Sequence, residues 1–341
     1  MDRKDAIAWM LSLCACLRLS QAKTLSDLSV AACSMSRASL AELGRSLAKT
    51  TSVAVKHCIK RVDRFLDNAR IEPPEAMRGL VQWLAQPRKK LLVILDWVEI
   101  RSFPCIVLAA RLKGRAIPLL WSVCRDGELY RSRNNLEYAL LKLLRTMARE
   151  CQGLKFDFLI RIRTDVYVQH EDYTGKLLDL PLREGYQKVY RQVQYRKERP
   201  VVANVAVVWL PGEEEPWFLL TSLPRLQGLK LTKVYAKRMS IEEYFRDAKS
   251  LRNGFALRLT LIQDPRRLER LLLVLAMAYL LLVAIGLHCR KKYRSGRWCS
   301  NNRMDECSLV SIGRFMLESF AGNLPSALAN LRREILGGNW G

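Results

Sequence analysis

One segment, Val-Tyr-Ala-Lys-Arg-Met-Ser-Ile-Glu-Glu-Tyr-Phe-Arg-Asp-Ala-Lys at residues 234–249, gathers the side chains best suited to chemistry on a phosphate. At about 100° per residue, a single helix here brings Tyr235, Arg238, Glu242 and Lys249 within an arc of about 60°. Arg246 joins them, while Ile241, Tyr244, Phe245 and Ala248 fall to the side or behind as an apolar stripe. A carboxylate among cations and a phenol suits phosphoryl transfer on DNA: the carboxylate holds a divalent metal and its neighbours grip phosphates. Hard oxygen ligands favour Mg²⁺ or Mn²⁺. The same spacing also suits a surface helix laced with salt bridges.

The chain that must position these groups has 341 residues, enough for two or three folded units. Half of it is hydrophobic and 26% is charged, which excludes wholesale disorder. Its 57 Lys and Arg against 33 Asp and Glu leave a net charge of +24, a field suited to a polyanion. Nucleic acid is the leading partner and an anionic membrane the competing one. The ten cysteines are scattered without a C-x-x-C pair, which fits a reduced cytoplasm better than a zinc site. The apolar segment 7–17 lacks a clear cleavage site and reads as a core helix. The uncharged run 271–287 falls slightly short of the ~20 residues of a spanning helix and is expected to be a buried core helix, so no membrane partner is expected.

From the N-terminus, residues 24–68 read as short helices, with Ser39 and Glu42 spaced as a capping box. A helix over 53–66 places Lys56, Lys60, Arg61 and Arg64 on its polar side and Val55, Ile59, Val62 and Leu66 on its apolar side. With the preceding helix and the turn at Lys49, Thr50 and Thr51, this forms either a helix-turn-helix that enters a major groove or a plain bundle with a basic face. Pro73, Pro74 and Pro87 bracket a linking helix, and an apolar strand at 91–95 then ends at Asp96. Strands follow at 103–112 and 115–123 around a Lys-Gly turn, then a helix at 134–152 and a strand at 156–163. The basic tract 183–199 interleaves Tyr186, Tyr190 and Tyr195, suited to phosphate contact with base stacking, or equally to a solvated strand. A hairpin at 201–209 and 217–223 leads to the helix of Glu242, and the basic stretch 288–303 reads as loop.

Tyr235, Arg238, Glu242 and Lys249 match the Y-x2-R-x3-E-x6-K signature of the insertion sequence four family of DDE transposases, and the surrounding sequence resembles theirs. Ile94, Leu95, Asp96 and Trp97 resemble that family's first catalytic strand, and residues 157–163 a later strand of its RNase H-like core. The resemblance spans about residues 20 to 330. It implies an α/β (α+β) architecture: a helical DNA-binding domain at 1–85, the first part of an RNase H-like core at 86–165, a β-rich insertion at 166–230, and the second part of the core, with the glutamate helix, at 231–330. It implies cut-and-paste transposition by a cytoplasmic, nucleoid-associated enzyme. Asp96 and Glu242 would be catalytic and bind Mg²⁺ or Mn²⁺, while Tyr235, Arg238 and Lys249 would contact DNA. The implied partners are terminal inverted repeats and target DNA, with a homodimer in the synaptic complex.

The family's second carboxylate ends a strand in an Asp-Arg-Gly-Phe-like stretch between two helices, and no such stretch exists here. Leu143, Leu144, Arg145 and Thr146 pass into Ala148, Arg149, Glu150, Cys151 and Gln152, which reads as the end of the later helix joined onto the earlier one. An in-frame deletion of a strand and part of a helix produces this junction and implies a copy lacking one of three catalytic acids. In a competing alignment 156–163 is the missing strand and Asp165, just past its end, supplies the ligand; Asp157 is the poorer candidate.

Overall fold

In the computed structural model the chain is described over residues 3–85, 90–129, 133–149, 156–196, 201–223, 227–251, 254–299, 307–320 and 323–337, and it forms an α+β protein. It divides into two compact units, one of residues 1–154 with 240–338 and one centred on 155–239.

The first unit opens with five helices: α1 (Arg3–Leu13), α2 (Leu19–Ser34), α3 (Leu40–Thr51), α4 (Val55–Asp67) and α5 (Pro73–Leu84). Ser39 caps α3 by accepting from the Glu42 N–H at 3.2 Å, while the Glu42 carboxylate turns to Arg45, so half of the expected capping box forms. Helix α3 ends at Ser52, whose left-handed φ of 55° reverses the chain, and α4 begins three residues later. The two helices cross closely because Gly44 has no side chain: a Cβ there would lie 2.5 Å from Ile59 Cγ1. The apolar stripe of α4 is Cys58, Val62, Phe65 and Leu66 rather than the expected set. Val55 is 44% exposed, because the helix starts at that residue and its first turn projects beyond the core.

Strands β1 (Val93–Ile100), β2 (Phe103–Leu112) and β3 (Arg115–Val123) then form an antiparallel meander in the order β1-β2-β3. The Lys113-Gly114 turn falls where the sequence places it, with Gly114 at a φ of 71° that favours glycine. Helix α6 (Arg133–Arg149) covers the face bearing Trp97, whose indole N–H donates to Glu137 at 2.8 Å. The opposite face receives α8 (Met239–Lys249) and the start of α9 (Pro265–Lys292). Helix α9 is long and apolar enough to cross a membrane, yet 94% of its apolar stretch is buried inside the fold, as expected of a core helix. Helices α10 (Leu309–Phe315) and α11 (Leu324–Leu336) pack against it. Gly286 and Gly313 let α9 and α10 touch backbone to backbone: a Cβ on either would stand 1.9 or 2.0 Å from a carbonyl of the other helix.

The second unit is a six-stranded antiparallel sheet in the order β4-β9-β8-β7-β5-β6, formed by β4 (Leu159–Arg161), β5 (Tyr167–His170), β6 (Tyr173–Lys176), β7 (Gln187–Tyr195), β8 (Val201–Val208) and β9 (Trp217–Thr221). Helix α7 (Gly228–Ala236) packs on β8 and β7 through Leu231. Residues 157–163, expected as a later strand of an RNase H-like core, contribute β4, which forms an edge of this sheet. Only three residues long, it pairs antiparallel with β9, and the Phe158 N–H and carbonyl bond the hydroxyls of Ser222 and Thr221.

Candidate functional site

The segment of the four signature residues is not one helix. Helix α7 ends at Ala236, the N–H groups of Lys237 and Arg238 bond the carbonyls of Val234 and Tyr235, and α8 begins at Met239. These bonds reach back three residues instead of four, so the periodicity that would align all four side chains is interrupted at Lys237 and Arg238. Glu242 and Lys249 remain together on α8, seven residues and about two turns apart. Tyr235 lies on α7, its ring edge-on to Trp217 at 5.6 Å, with the Arg238 guanidinium 6.0 Å above it.

Asp96 stands within β1, which runs on to Ile100 instead of stopping before it, because residues 97–100 continue to pair with 103–106 of β2. Alternation puts Asp96 on the same sheet face as Val98 and Ile100, and its cross-strand partner is Val107. Val98, Ile100, Cys105 and Val107 line one seam with Tyr244, Phe245, Ala248 and Lys249 of α8. Phe245 and Lys249 lie one and two turns along α8 from Glu242, so the strand of Asp96 and the helix of Glu242 meet across this seam. Asp96 is half-buried, with Oδ1 accepting from the Trp97 N–H at 2.9 Å, and Glu242 is exposed. Lys249 is half-buried, and its ammonium is lowered from the ordinary range by burial and by Arg258, against the pull of Glu99.

What fixes α8 on the sheet is a polar cluster that the sequence reading passed over. Arg115, at the start of β3, pairs with Glu243 at 2.6 Å and with Asp247 at 2.9 Å; Arg246 also pairs with Glu243. The Tyr279 hydroxyl, buried in the middle of α9, donates to Asp247 Oδ2 at 3.1 Å. Burial raises the Asp247 carboxyl above its ordinary range, with Arg115 the main opposing influence. The available signal was Tyr279 itself, the single hydrogen-bonding side chain in the uncharged run 271–287, since a buried phenol seeks a partner. Glu269 similarly fixes the end of β3 by accepting from the Val123 N–H at 2.8 Å.

The helical region keeps part of its expected basic face. Arg61 turns inward to Asp27 at 2.9 Å and Thr24 at 3.1 Å, while Asp63 and Asp67 are engaged by Arg267 from α9. Lys56, Lys60 and Arg64 stay exposed on α4, with no ion-pair partner among the described residues. In the basic tract the tyrosines are structural instead of a stacking platform. Tyr190 is 7% exposed, its hydroxyl lies 2.9 Å from that of Tyr186, and Tyr195 packs against the same core.

Among the described residues β1 pairs with β2 alone, and residues 156–163 do not lie beside it as a strand. Asp157 accepts from the Ser222 hydroxyl at 2.9 Å, and Asp165 sits in an exposed turn with Arg163 at 3.6 Å. Helix α6 is continuous through Arg149, and the remainder of the proposed junction, Glu150, Cys151 and Gln152, lies outside the described residues. No group of three or more Asp, Glu, His or Cys able to hold a metal occurs among the described residues.

Compared with known proteins, no curated protein matches the chain. Residues 145–281, about two-fifths of its length, match the family model described as Transposase DDE domain. The matched stretch contains Tyr235, Arg238, Glu242 and Lys249 and begins after Asp96. This match, falling on the helix that carries Glu242, supports a DDE-type transposase.

Proposed function

We propose that the chain descends from a cut-and-paste transposase of the insertion sequence four type, a metal-dependent strand transferase and nuclease acting on terminal inverted repeats and target DNA, and that it has lost its second catalytic acid. The observation that carries this reading is the meeting of β1, with Asp96, and α8, with Glu242, on one sheet face. In this reading the meander β1-β2-β3 is the surviving half of an RNase H-like core. Asp96 and Glu242 would hold Mg²⁺ or Mn²⁺, which would supply Lewis-acid activation and charge neutralisation at the phosphate. Two carboxylates supply weaker charge compensation than three, so the residues fit such a metal only in part.

The chain's own groups have separate tasks. Arg115, Asp247 and Tyr279 hold α8 against the sheet and so keep Glu242 on the face of Asp96. Tyr235, Arg238 and Lys249 contact phosphates at the transposon end. Helices α3 and α4 form a helix-turn-helix in which α4, through Lys56, Lys60 and Arg64, enters the major groove of the terminal repeat. Synapsis of two ends calls for a homodimer.

A second reading, a DNA-end-binding protein that no longer cleaves and competes with an intact relative, is favoured by β1 having β2 as its one strand neighbour among the described residues. One assay separates the two. Purified chain is incubated with labelled end-containing duplex in Mg²⁺ and Mn²⁺, and retardation and nicking are read from the same samples. Retardation with nicking that Glu242→Gln abolishes supports residual catalysis, retardation alone supports the end-binding reading, and failure to retard duplex DNA contradicts both.

A further inference from the structure

The end of α9 and the turn after it carry Arg290, Lys291, Lys292, Arg294 and Arg297 within eight residues, and no acidic residue occurs in sequence between Glu269 and Asp305. Three observations make this more than a helix end dressed for its dipole. The favourable influence of a helix C-terminus fades within its last turn, yet Arg294 and Arg297 lie beyond the end of α9 and are exposed. Two of the cations are held in place: the Arg297 guanidinium lies 4.5 Å and the Lys292 ammonium 5.6 Å from the centre of the Tyr293 ring. Of the five, Lys291 is paired, with Glu334 at 2.5 Å, and the other four have no ion-pair partner among the described residues.

We propose that this surface, formed by Arg290, Lys292, Arg294 and Arg297 around Tyr293, is a second DNA-contacting surface that binds the duplex phosphate backbone without reading sequence. The inference rests on the reading of the chain as a DNA-acting protein and adds a site that neither α4 nor the signature residues supply. The packing favours a nucleic acid over an anionic bilayer. Interfacial membrane binding requires apolar side chains that can leave the protein for lipid, whereas the aromatics here, Tyr293 and Trp298, pack against the protein's own core. What faces outward is charge on a largely preset frame, which suits a polyanion of fixed shape.

The test uses the full-length chain, a labelled duplex of arbitrary sequence and the same duplex carrying a transposon end, with fluorescence anisotropy read across about 50 to 200 mM salt. Two variants are compared with the parent: Lys292→Gln with Arg294→Gln, which leaves the Arg297 stack intact, and the fourfold Gln variant that adds Arg290 and Arg297. Thermal melts establish that each is folded. The expected result is weaker binding to both duplexes by the same factor, with the slope of log K against log salt shallower by about 1.8 for the double variant, at about 0.9 for each phosphate no longer neutralised. Parent-like affinity and slope in folded variants, with the parent binding DNA normally, would overturn this surface and leave the transposase reading intact. Failure of the parent to bind any duplex would remove both. Binding of the parent, but not the variants, to phosphatidylserine vesicles with duplex binding unchanged would assign the surface to a bilayer and overturn the proposal.

Discussion

Replacing Glu242 by glutamine keeps the shape of the side chain and removes the charge that a divalent cation needs. Glu242→Gln is therefore expected to lower any Mg²⁺- or Mn²⁺-dependent nicking by at least about a hundredfold while leaving duplex binding within about twofold, read by cleavage and retardation on one substrate. The cluster behind it is predicted to act through stability. Arg115→Met leaves Asp247 buried and short of its main counter-charge and is expected to cost about 3 kcal/mol in urea unfolding, whereas Tyr279→Phe removes one hydrogen bond and is expected to cost about 1 kcal/mol. Asp247 also sets a pH dependence. Its carboxyl is raised in the folded protein, so the folded state holds that proton more tightly than the unfolded one. That contribution is full below the ordinary carboxyl range and is lost as pH rises through the folded value. The stability of the parent relative to Asp247→Asn is thus expected to fall as pH is raised from the ordinary Asp value through the folded one; a difference that is flat or grows would contradict the assignment.

At the scale of elements, α4 carries a prediction of its own. Lys56→Ala, Lys60→Ala and Arg64→Ala together are expected to leave stability nearly unchanged, because all three side chains are exposed, yet to weaken end binding and flatten its salt dependence by about 2.7 in slope. Arg61→Ala should do the reverse, destabilising the fold through Asp27 with little effect on the slope. Gly313→Ala would drive a methyl to 2.0 Å from the Leu282 carbonyl and is expected to cost about 1–3 kcal/mol by forcing α9 and α10 apart. These elements differ in how far the sequence exposes them. The apolar runs 103–112 and 115–123 around Lys113 and Gly114 yield β2 and β3 with their observed limits, since run length and turn chemistry are both local. The break at Lys237 and Arg238 stays hidden because the sequence across it continues a helical pattern. The tyrosines of 186–195 look like a stacking surface until β7 is known to turn them onto a core. Arg115, Asp247 and Tyr279 are separated by 132 and 32 residues, and no local pattern links them.

Across the whole molecule, charge and fold point the same way for different reasons. The surplus of 24 positive charges suits a polyanion, while the apolar α9, which by composition alone could span a bilayer, is spent on the interior. Local sequence can reveal a carboxylate on a strand and another on a basic helix, and the two elements that carry them, β1 and α8, line one seam. The remaining carboxylate depends on a strand beside β1, and the described residues place 156–163 in a different sheet. The proposed site is therefore a metal held by Asp96 and Glu242 without a third carboxylate from Asp165. The most direct test is Mn²⁺ titration of the full-length chain by calorimetry, with the parent, Asp96→Asn, Glu242→Gln and Asp165→Asn compared at one pH and ionic strength. The expected outcome is one weak site in the parent, its loss in both Asp96→Asn and Glu242→Gln, and parent-like binding in Asp165→Asn. Tight binding of two ions that Asp165→Asn abolishes would establish a complete set of three acids and contradict the deletion, and binding untouched by Asp96→Asn and Glu242→Gln would remove the site itself.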